Sequence, residues 1–127
     1  MAKNILIIDD DDAVRKAFTL AFKDTQYNVD TAESGRIGLQ MEKRKKYDLI
    51  FLDLKMPEIN GIEVLYEIRK TDKNIPIYII TAFHKEFFSE LREAEMDGIR
   101  FQIIKKPICK DRIVLLASSI LEKPYEY

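Results

Sequence analysis

Strand-length apolar runs alternate with helix-length amphipathic stretches five times along this chain of 127 residues. Strict alternation of this kind favours a parallel sheet with helices on both faces, and right-handed crossovers leave few ways to connect it. The predicted strands lie at residues 5–8, 27–31 (the weakest), 49–52, 75–80 and 99–104. We therefore expect one doubly wound α/β domain spanning residues 1–127, with its core in 4–122.

Five amphipathic helices are expected to follow these strands. In the first, Val14, Ala17, Phe18, Ala21 and Phe22 show the i, i+3, i+4, i+7, i+8 spacing of one buried face. The second helix is predicted from residue 34 to about 46, and the third begins after residue 61. The fourth ends near residues 97–98, and the fifth covers residues 113–121. In open sheets of this class, ligands bind beyond the carboxyl ends of the strands.

Composition narrows the possible functions and partners. Lys plus Arg number 21 against 22 Asp plus Glu, a balance that gives no support for direct nucleic-acid binding. The lone Cys109 cannot form an internal disulfide, which fits a cytoplasmic location. The apolar runs fall short of the roughly 18 residues of a membrane helix. Because residues 1–4 lead straight into a predicted strand, we expect no signal peptide. We expect no membrane partner.

Carboxylates stand at the ends of two of the strongest strand runs. Four consecutive aspartates, residues 9–12, follow the first strand, and Asp53 follows the third. If these strands are parallel neighbours, Asp9, Asp10 and Asp53 converge on one edge of the sheet and repel one another unless a cation joins them. Oxygen ligands of this kind suit Mg²⁺, which retains waters and favours phosphate partners. The pattern therefore predicts metal-assisted phosphoryl chemistry.

The remaining strand ends carry groups that suit the same chemistry. Thr81 ends the fourth strand and offers a hydroxyl to a phosphoryl oxygen, and the small Ala82 after it leaves access. Lys106 ends the fifth strand, where its ammonium can neutralise phosphoryl charge, and a cis bond to Pro107 is one way to fix the turn. A tight loop between residues 57 and 61 can fold the backbone of Lys55 toward the metal.

Together these motifs resemble the receiver domain of two-component response regulators. The resemblance covers residues 4–122 and implies a flavodoxin-like sheet of order 2-1-3-4-5 with five helices. Its motifs are the Asp9–Asp10 pair, Asp53 with Met56–Pro57 and Gly61, Thr81–Ala82, and Lys106–Pro107.

The resemblance implies a role for each site residue. Asp53 would accept a phosphoryl group from the phosphohistidine of a sensor histidine kinase or phosphotransfer protein. Mg²⁺ would be held by Asp10, Asp53 and the Lys55 carbonyl, with Asp9 acting through water. Lys106 would pair with phosphoryl oxygens, and Thr81 would couple the phosphate to the fourth helix and fifth strand.

Beyond the site, the resemblance implies a signalling role rather than an enzyme, although such a domain assists its own phosphorylation and dephosphorylation. The surface of the fourth helix, fifth strand and fifth helix would meet an unknown output protein or domain, or a second copy in a phosphorylation-dependent homodimer. Lys55 and Phe83 hold positions that tune phosphoryl lifetime in the family. The chain fits either a stand-alone receiver or part of a longer regulator.

One departure from the family concerns an aromatic residue expected three positions before the lysine. That position holds Ile103 if the lysine is Lys106, and Gln102 if it is Lys105; Phe101 lies further upstream. Lys106 is preferred because it directly precedes a proline. Whether Phe101 takes the role of this aromatic residue, which takes part in the family's switch, stays open.

Two other functions compete. A haloacid-dehalogenase-type phosphatase shares the Asp10–Asp12 spacing, Thr81 and Lys106, but its second acidic cluster should follow the lysine, whereas Asp53 precedes Thr81. A flavin or nucleotide binder on the same fold needs a phosphate-binding loop after the first strand, where four aspartates would repel a phosphate.

Overall fold

The computed structural model describes residues 2–82 and 85–122. The described strands form one parallel sheet of order β2-β1-β3-β4-β5, which confirms the predicted fold class. In chain order the elements are β1 Asn4–Ile8, α1 Asp12–Ala21, β2 Asn28–Ala32, α2 Gly35–Arg44, β3 Leu49–Asp53, α3 Gly61–Thr71, β4 Ile77–Thr81, a 3₁₀ turn Lys85–Phe87, α4 Phe88–Met96, β5 Gln102–Lys105 and α5 Lys110–Leu121.

The core lies in two layers, one on each face of the sheet. Strand β1 shows why: Leu6 and Ile8 face one layer, which includes side chains of α2, α3 and α4, while Ile5 and Ile7 face the other, which includes side chains of α1 and α5. Phe51 on β3 fills the second layer, with its ring centroid 4.9 Å from that of Phe18. Central strands buried on both faces need apolar residues throughout, which accounts for the continuous runs.

Strands β4 and β5 begin two and three residues later than their apolar runs predict. Strand β4 begins at Ile77 because the Asp72 carboxylate accepts hydrogen bonds from the amides of Asn74 and Ile75, which turns that segment. Strand β5 begins at Gln102 rather than Ile99. The Ile99 amide instead donates to the carbonyl of Ala94, closing the end of α4.

Helix caps hold the loops that carry the candidate site. The Asp11 carboxylate caps α1 by accepting from the Ala13 amide, and Asn60 and Glu63 form a reciprocal capping box at the start of α3. The amide of Gly61 donates to the Leu54 carbonyl, and the backbone there passes so close to β3 that a Cβ on Gly61 would lie 2.4 Å from the Asp53 carbonyl oxygen. Glycine is therefore required directly behind Asp53.

A search of the described part of the chain finds no helix of the length and apolar character that a bilayer crossing requires.

Candidate functional site

The carboxyl edge of the sheet gathers the acidic and basic groups predicted from the sequence. Asp9 follows β1, Asp53 ends β3, Thr81 ends β4 and Lys106 follows β5. Asp9 and Thr81 are buried, and Asp53 is only 6% exposed. The parallel arrangement brings these strand ends together, because all the strands finish at the same edge.

Lys106 joins the two buried carboxylates. Its Nζ lies 3.2 Å from Oδ1 of Asp53 and 3.4 Å from Oδ2 of Asp9. The Lys106 amide donates to the Thr81 carbonyl at 2.7 Å, and the Lys106–Pro107 peptide is cis. Lys105 is exposed and pairs in register with Thr81, so it is Lys106 whose ammonium reaches the carboxylates.

Burial and mutual repulsion set the electrostatics of the site. Burial, reinforced by the charge of Asp9, raises the pKa of Asp53 to about 7, although Lys106 opposes this shift. Burial also raises the pKa of Asp9, although the hydrogen bond from the Asp11 amide and the charge of Lys106 act to lower it. Burial alone would lower the pKa of Lys106, but Asp53 and Asp9 outweigh it and raise that pKa. Among the described residues, the carboxylates of Asp9, Asp10 and Asp53 thus carry more negative charge than the ammonium of Lys106 balances.

The acidic side chains have the geometry of a cation site. One carboxylate oxygen each from Asp9, Asp10 and Asp53 lies within 4.8 Å of the others. Asp9 and Asp53 are buried whereas Asp10 is exposed, so a cation held among them would face solvent on one side. Hard oxygen donors with room for water match what Mg²⁺ prefers, so these residues fit that ion.

The loop after β3 approaches the site from the side of α4. Lys55 lies two residues beyond Asp53, and its Nζ is 3.4 Å from Oε1 of Glu86 in the 3₁₀ turn. Both side chains are more than half exposed, so this ion pair contributes little to stability. It nevertheless places the loop of the predicted metal ligand beside the start of α4.

The residue three positions before Lys106, on β5, is aliphatic. Ile103 is 49% exposed on the strand, while Phe101 precedes the strand and packs, partly buried, against the layer that includes α3 and α4. Phe83 and His84, which the sequence places just after Thr81, lie outside the described residues.

Comparison with known proteins decides the family. Residues 5–118 match the family model of the response regulator receiver domain. This chain belongs to that family. The receiver is 33% identical over 120 residues to the transcriptional regulatory protein GlrR of Escherichia coli K12, covering 94% of this chain and 26% of that protein.

Two further relatives extend the comparison. The response regulator MprA of Mycolicibacterium vanbaalenii is 30% identical over 123 residues, covering 97% of the receiver and 52% of that protein. The receiver therefore spans about a quarter of GlrR and about half of MprA. The structure of the response regulator TrrA of Thermotoga maritima in complex with Mg²⁺-BeF matches with a TM-score of 0.77 and 30% identity, covering 93% of the receiver and 98% of that chain.

The structure of the receiver separates the four consecutive aspartates. Asp9 and Asp10 turn into the acidic cluster, and Asp11 caps α1. Asp12, 65% exposed in the first turn of α1, forms ion pairs with Arg15 and Lys16. The phosphatase alternative uses Asp10 and Asp12 together in one motif, so their separation disfavours it.

Arg15 contacts the backbone of the candidate site, and the sequence interpretation missed it. Its Nη1 donates to the carbonyl oxygen of Asp9 at 2.8 Å, and its side chain is 17% exposed. On the helical pattern it reads as an ordinary polar residue, because its partner is a backbone oxygen in the preceding loop. A basic residue six positions after Asp9 is the signal that could have identified it.

Proposed function

We propose that this receiver domain, with its core in residues 4–122, is a phosphoacceptor of a two-component phosphorelay and that Asp53 takes the phosphoryl group. The observation that carries the proposal is the contact of Lys106 with both Asp53 and Asp9, at 3.2 and 3.4 Å, beside the carboxylate of Asp10. A nucleophile, an acidic cation site and a fixed positive charge then share one edge of the sheet.

In the proposed transfer, an oxygen of the Asp53 carboxylate attacks the phosphorus of a phosphohistidine. The phosphorus–nitrogen bond breaks, the imidazole leaves with the bonding electron pair, and a phosphorus–oxygen bond forms to give an acyl phosphate. The Lys106 ammonium lies close enough to Asp53 to pair with phosphoryl oxygens, and Thr81 offers its hydroxyl to the product.

Asp10, Asp53 and the Lys55 carbonyl would hold Mg²⁺, with Asp9 acting through water. When bound, the ion supplies positive charge that offsets the charge of the transferring group. The excess of carboxylates over cations in the described site supports this assignment, because a pKa of about 7 leaves Asp53 only partly ionised near neutral pH without further positive charge. The Mg²⁺-BeF complex of TrrA supports it by relationship.

The receiver would act in the cytoplasm, its phosphoryl donor would be a sensor histidine kinase or phosphotransfer protein, and the response would pass through the surface of α4, β5 and α5. Exposed apolar side chains on all three elements, Phe88, Ile103 and Leu115, support this surface as a contact for an output protein or domain, or for a second copy. If phosphorylation drives dimerisation, light scattering will show a doubled mass; an unchanged mass would count against the homodimer.

Intact-mass spectrometry tests the phosphoacceptor directly. The wild type and Asp53→Asn are incubated with Mg²⁺ and acetyl phosphate or phosphoramidate, with EDTA as the metal control. A labile adduct of one phosphoryl group, absent in the variant and in EDTA, is the expected result. A wild type that binds Mg²⁺ but gains no adduct contradicts the proposal, and turnover of a model phosphate ester would then favour the phosphatase.

A further inference from the structure

We propose that Arg15 is a positioning residue for the acidic cluster: it fixes the peptide unit between Asp9 and Asp10 and thereby sets the affinity of the site for Mg²⁺. This inference rests on the proposed Mg²⁺ site. Arg15 contacts neither the cation nor the phosphoryl group, and it acts only through the backbone of the loop after β1.

The contact geometry shows how Arg15 reaches Asp10. Nη1 of Arg15 donates to the Asp9 carbonyl oxygen at 2.8 Å. That oxygen lies in the same planar peptide unit as the amide nitrogen and Cα of Asp10, so fixing it also fixes the direction in which the chain enters Asp10. The planar, charged guanidinium group of Arg15, which is mostly buried, holds such an acceptor more rigidly than the flexible side chain of a lysine would.

Asp9 is held at several other points, whereas Asp10 is not. The Asp9 amide donates to the Ala32 carbonyl at 3.1 Å, and Oδ1 of Asp9 accepts from the Asp11 amide at 2.9 Å. In the described part of the chain, no hydrogen bond to the exposed carboxylate of Asp10 is found. The placement of Asp10 therefore depends on the backbone on either side of it, which Arg15 holds from the Asp9 end.

Arg15 also directs the fourth aspartate away from the cluster. Its Nη2 lies 3.1 Å from Oδ1 of Asp12, and Lys16 Nζ lies 3.0 Å from Oδ2 of the same carboxylate. One guanidinium thus bridges the backbone of the metal-binding loop and the first turn of α1. This bridge ties the loop to the helix.

A positioning role and a purely electrostatic role for Arg15 predict opposite effects of its removal on the affinity for Mg²⁺. By Coulomb's law alone, a cation near three carboxylates weakens Mg²⁺ binding, so its removal should tighten binding. If Arg15 positions Asp9 and Asp10, its removal should instead weaken binding, by about tenfold as for other residues that orient metal ligands. Lys16 provides the matched control, because it has the same charge on the same turn but is 74% exposed and contacts Asp12.

The experiment measures Mg²⁺ affinity of the whole chain by calorimetry for the wild type, Arg15→Gln, Arg15→Lys and Lys16→Gln. We expect Arg15→Gln to bind about tenfold more weakly, Arg15→Lys to fall between it and the wild type, and Lys16→Gln to bind as tightly as the wild type or more tightly. Arg15→Gln binding as tightly as the wild type overturns the inference. If Arg15→Gln does not fold, Arg15→Lys decides, since it keeps the charge but lacks the fork.

Amide hydrogen exchange in EDTA separates this inference from the proposed function. In Arg15→Gln the Asp11 amide should exchange about fivefold faster, the expected effect of losing roughly 1 kcal/mol of local hydrogen bonding, while it stays unchanged in Lys16→Gln. If the wild type binds no Mg²⁺, the proposed metal site fails regardless of Arg15. Unchanged exchange in Arg15→Gln shows that Arg15 does not hold the loop, whatever the metal does.

Discussion

Replacing Asp53 by asparagine should stabilise the metal-free receiver domain at neutral pH. Burial and the charge of Asp9 raise the pKa of Asp53 from 3.8 to about 7 in the folded protein. Between these two values the unfolded chain is ionised at this position while the folded protein binds a proton, so each pH unit costs about 1.4 kcal/mol of stability. The total loss is about 4 kcal/mol once the pH has passed 7.

Asparagine has no charge to desolvate, so the variant avoids this loss. Because the folded pKa is raised, the destabilisation is absent below pH 4, grows between pH 4 and 7, and stays constant above pH 7. We expect the stability of Asp53→Asn to exceed that of the wild type by about 4 kcal/mol at pH 7.5, equivalent to roughly 15 °C in melting temperature, and by almost nothing at pH 4.

Urea unfolding in EDTA at pH 4, 5.5 and 7.5 measures this difference for the wild type and Asp53→Asn. Asp24→Asn removes the same charge from an exposed position and should stay within about 0.5 kcal/mol of the wild type at every pH. The reasoning is refuted if Asp53→Asn is no more stable than the wild type at pH 7.5, or if its advantage persists undiminished at pH 4. With Mg²⁺ added, the wild type should regain stability relative to the variant, because a cation that binds the folded state stabilises it.

Two further stability predictions use matched pairs in urea unfolding. Lys106→Gln should cost about 2 kcal/mol or more at pH 7.5, because it leaves buried Asp9 and Asp53 without their cation. Lys105→Gln changes an exposed side chain and should cost about 1 kcal/mol at most, because contacts of exposed lysines contribute little; equal effects would contradict the assignment of Lys106. Gly61→Ala should lower the free energy of unfolding by several kcal/mol, since its Cβ would lie 2.4 Å from the Asp53 carbonyl oxygen. Gly98→Ala, with open space around it and a positive φ, should lower it by about 1 kcal/mol. A small effect of Gly61→Ala would show that the loop can shift.

The order of the elements and the meeting of the acidic residues at one edge could be predicted from the sequence. Alternating periodicities identify strands and helices, and parallel strands end at one edge, so Asp9 and Asp53 had to meet if β1 and β3 were neighbours. The order β2-β1-β3-β4-β5 followed from the family resemblance and not from periodicity. The predicted starts of β4 and β5 were wrong. The amide of Ile75 bonds to the Asp72 carboxylate in a turn, and the amide of Ile99 bonds to the Ala94 carbonyl at the end of α4, so neither residue joins its strand.

The tertiary structure decided which of several similar residues does what. Lys105 and Lys106 are the same residue type side by side, but the register of β5 and the turn after it direct Lys106 toward Asp9 and Asp53, and Asp9 is 97 residues away in sequence. The raised pKa of Asp53 and the hold of Arg15 on the Asp9 carbonyl likewise arise from burial and contact between separate elements. Sequence patterns identify which faces are buried, whereas distances between charges depend on how the packed elements meet.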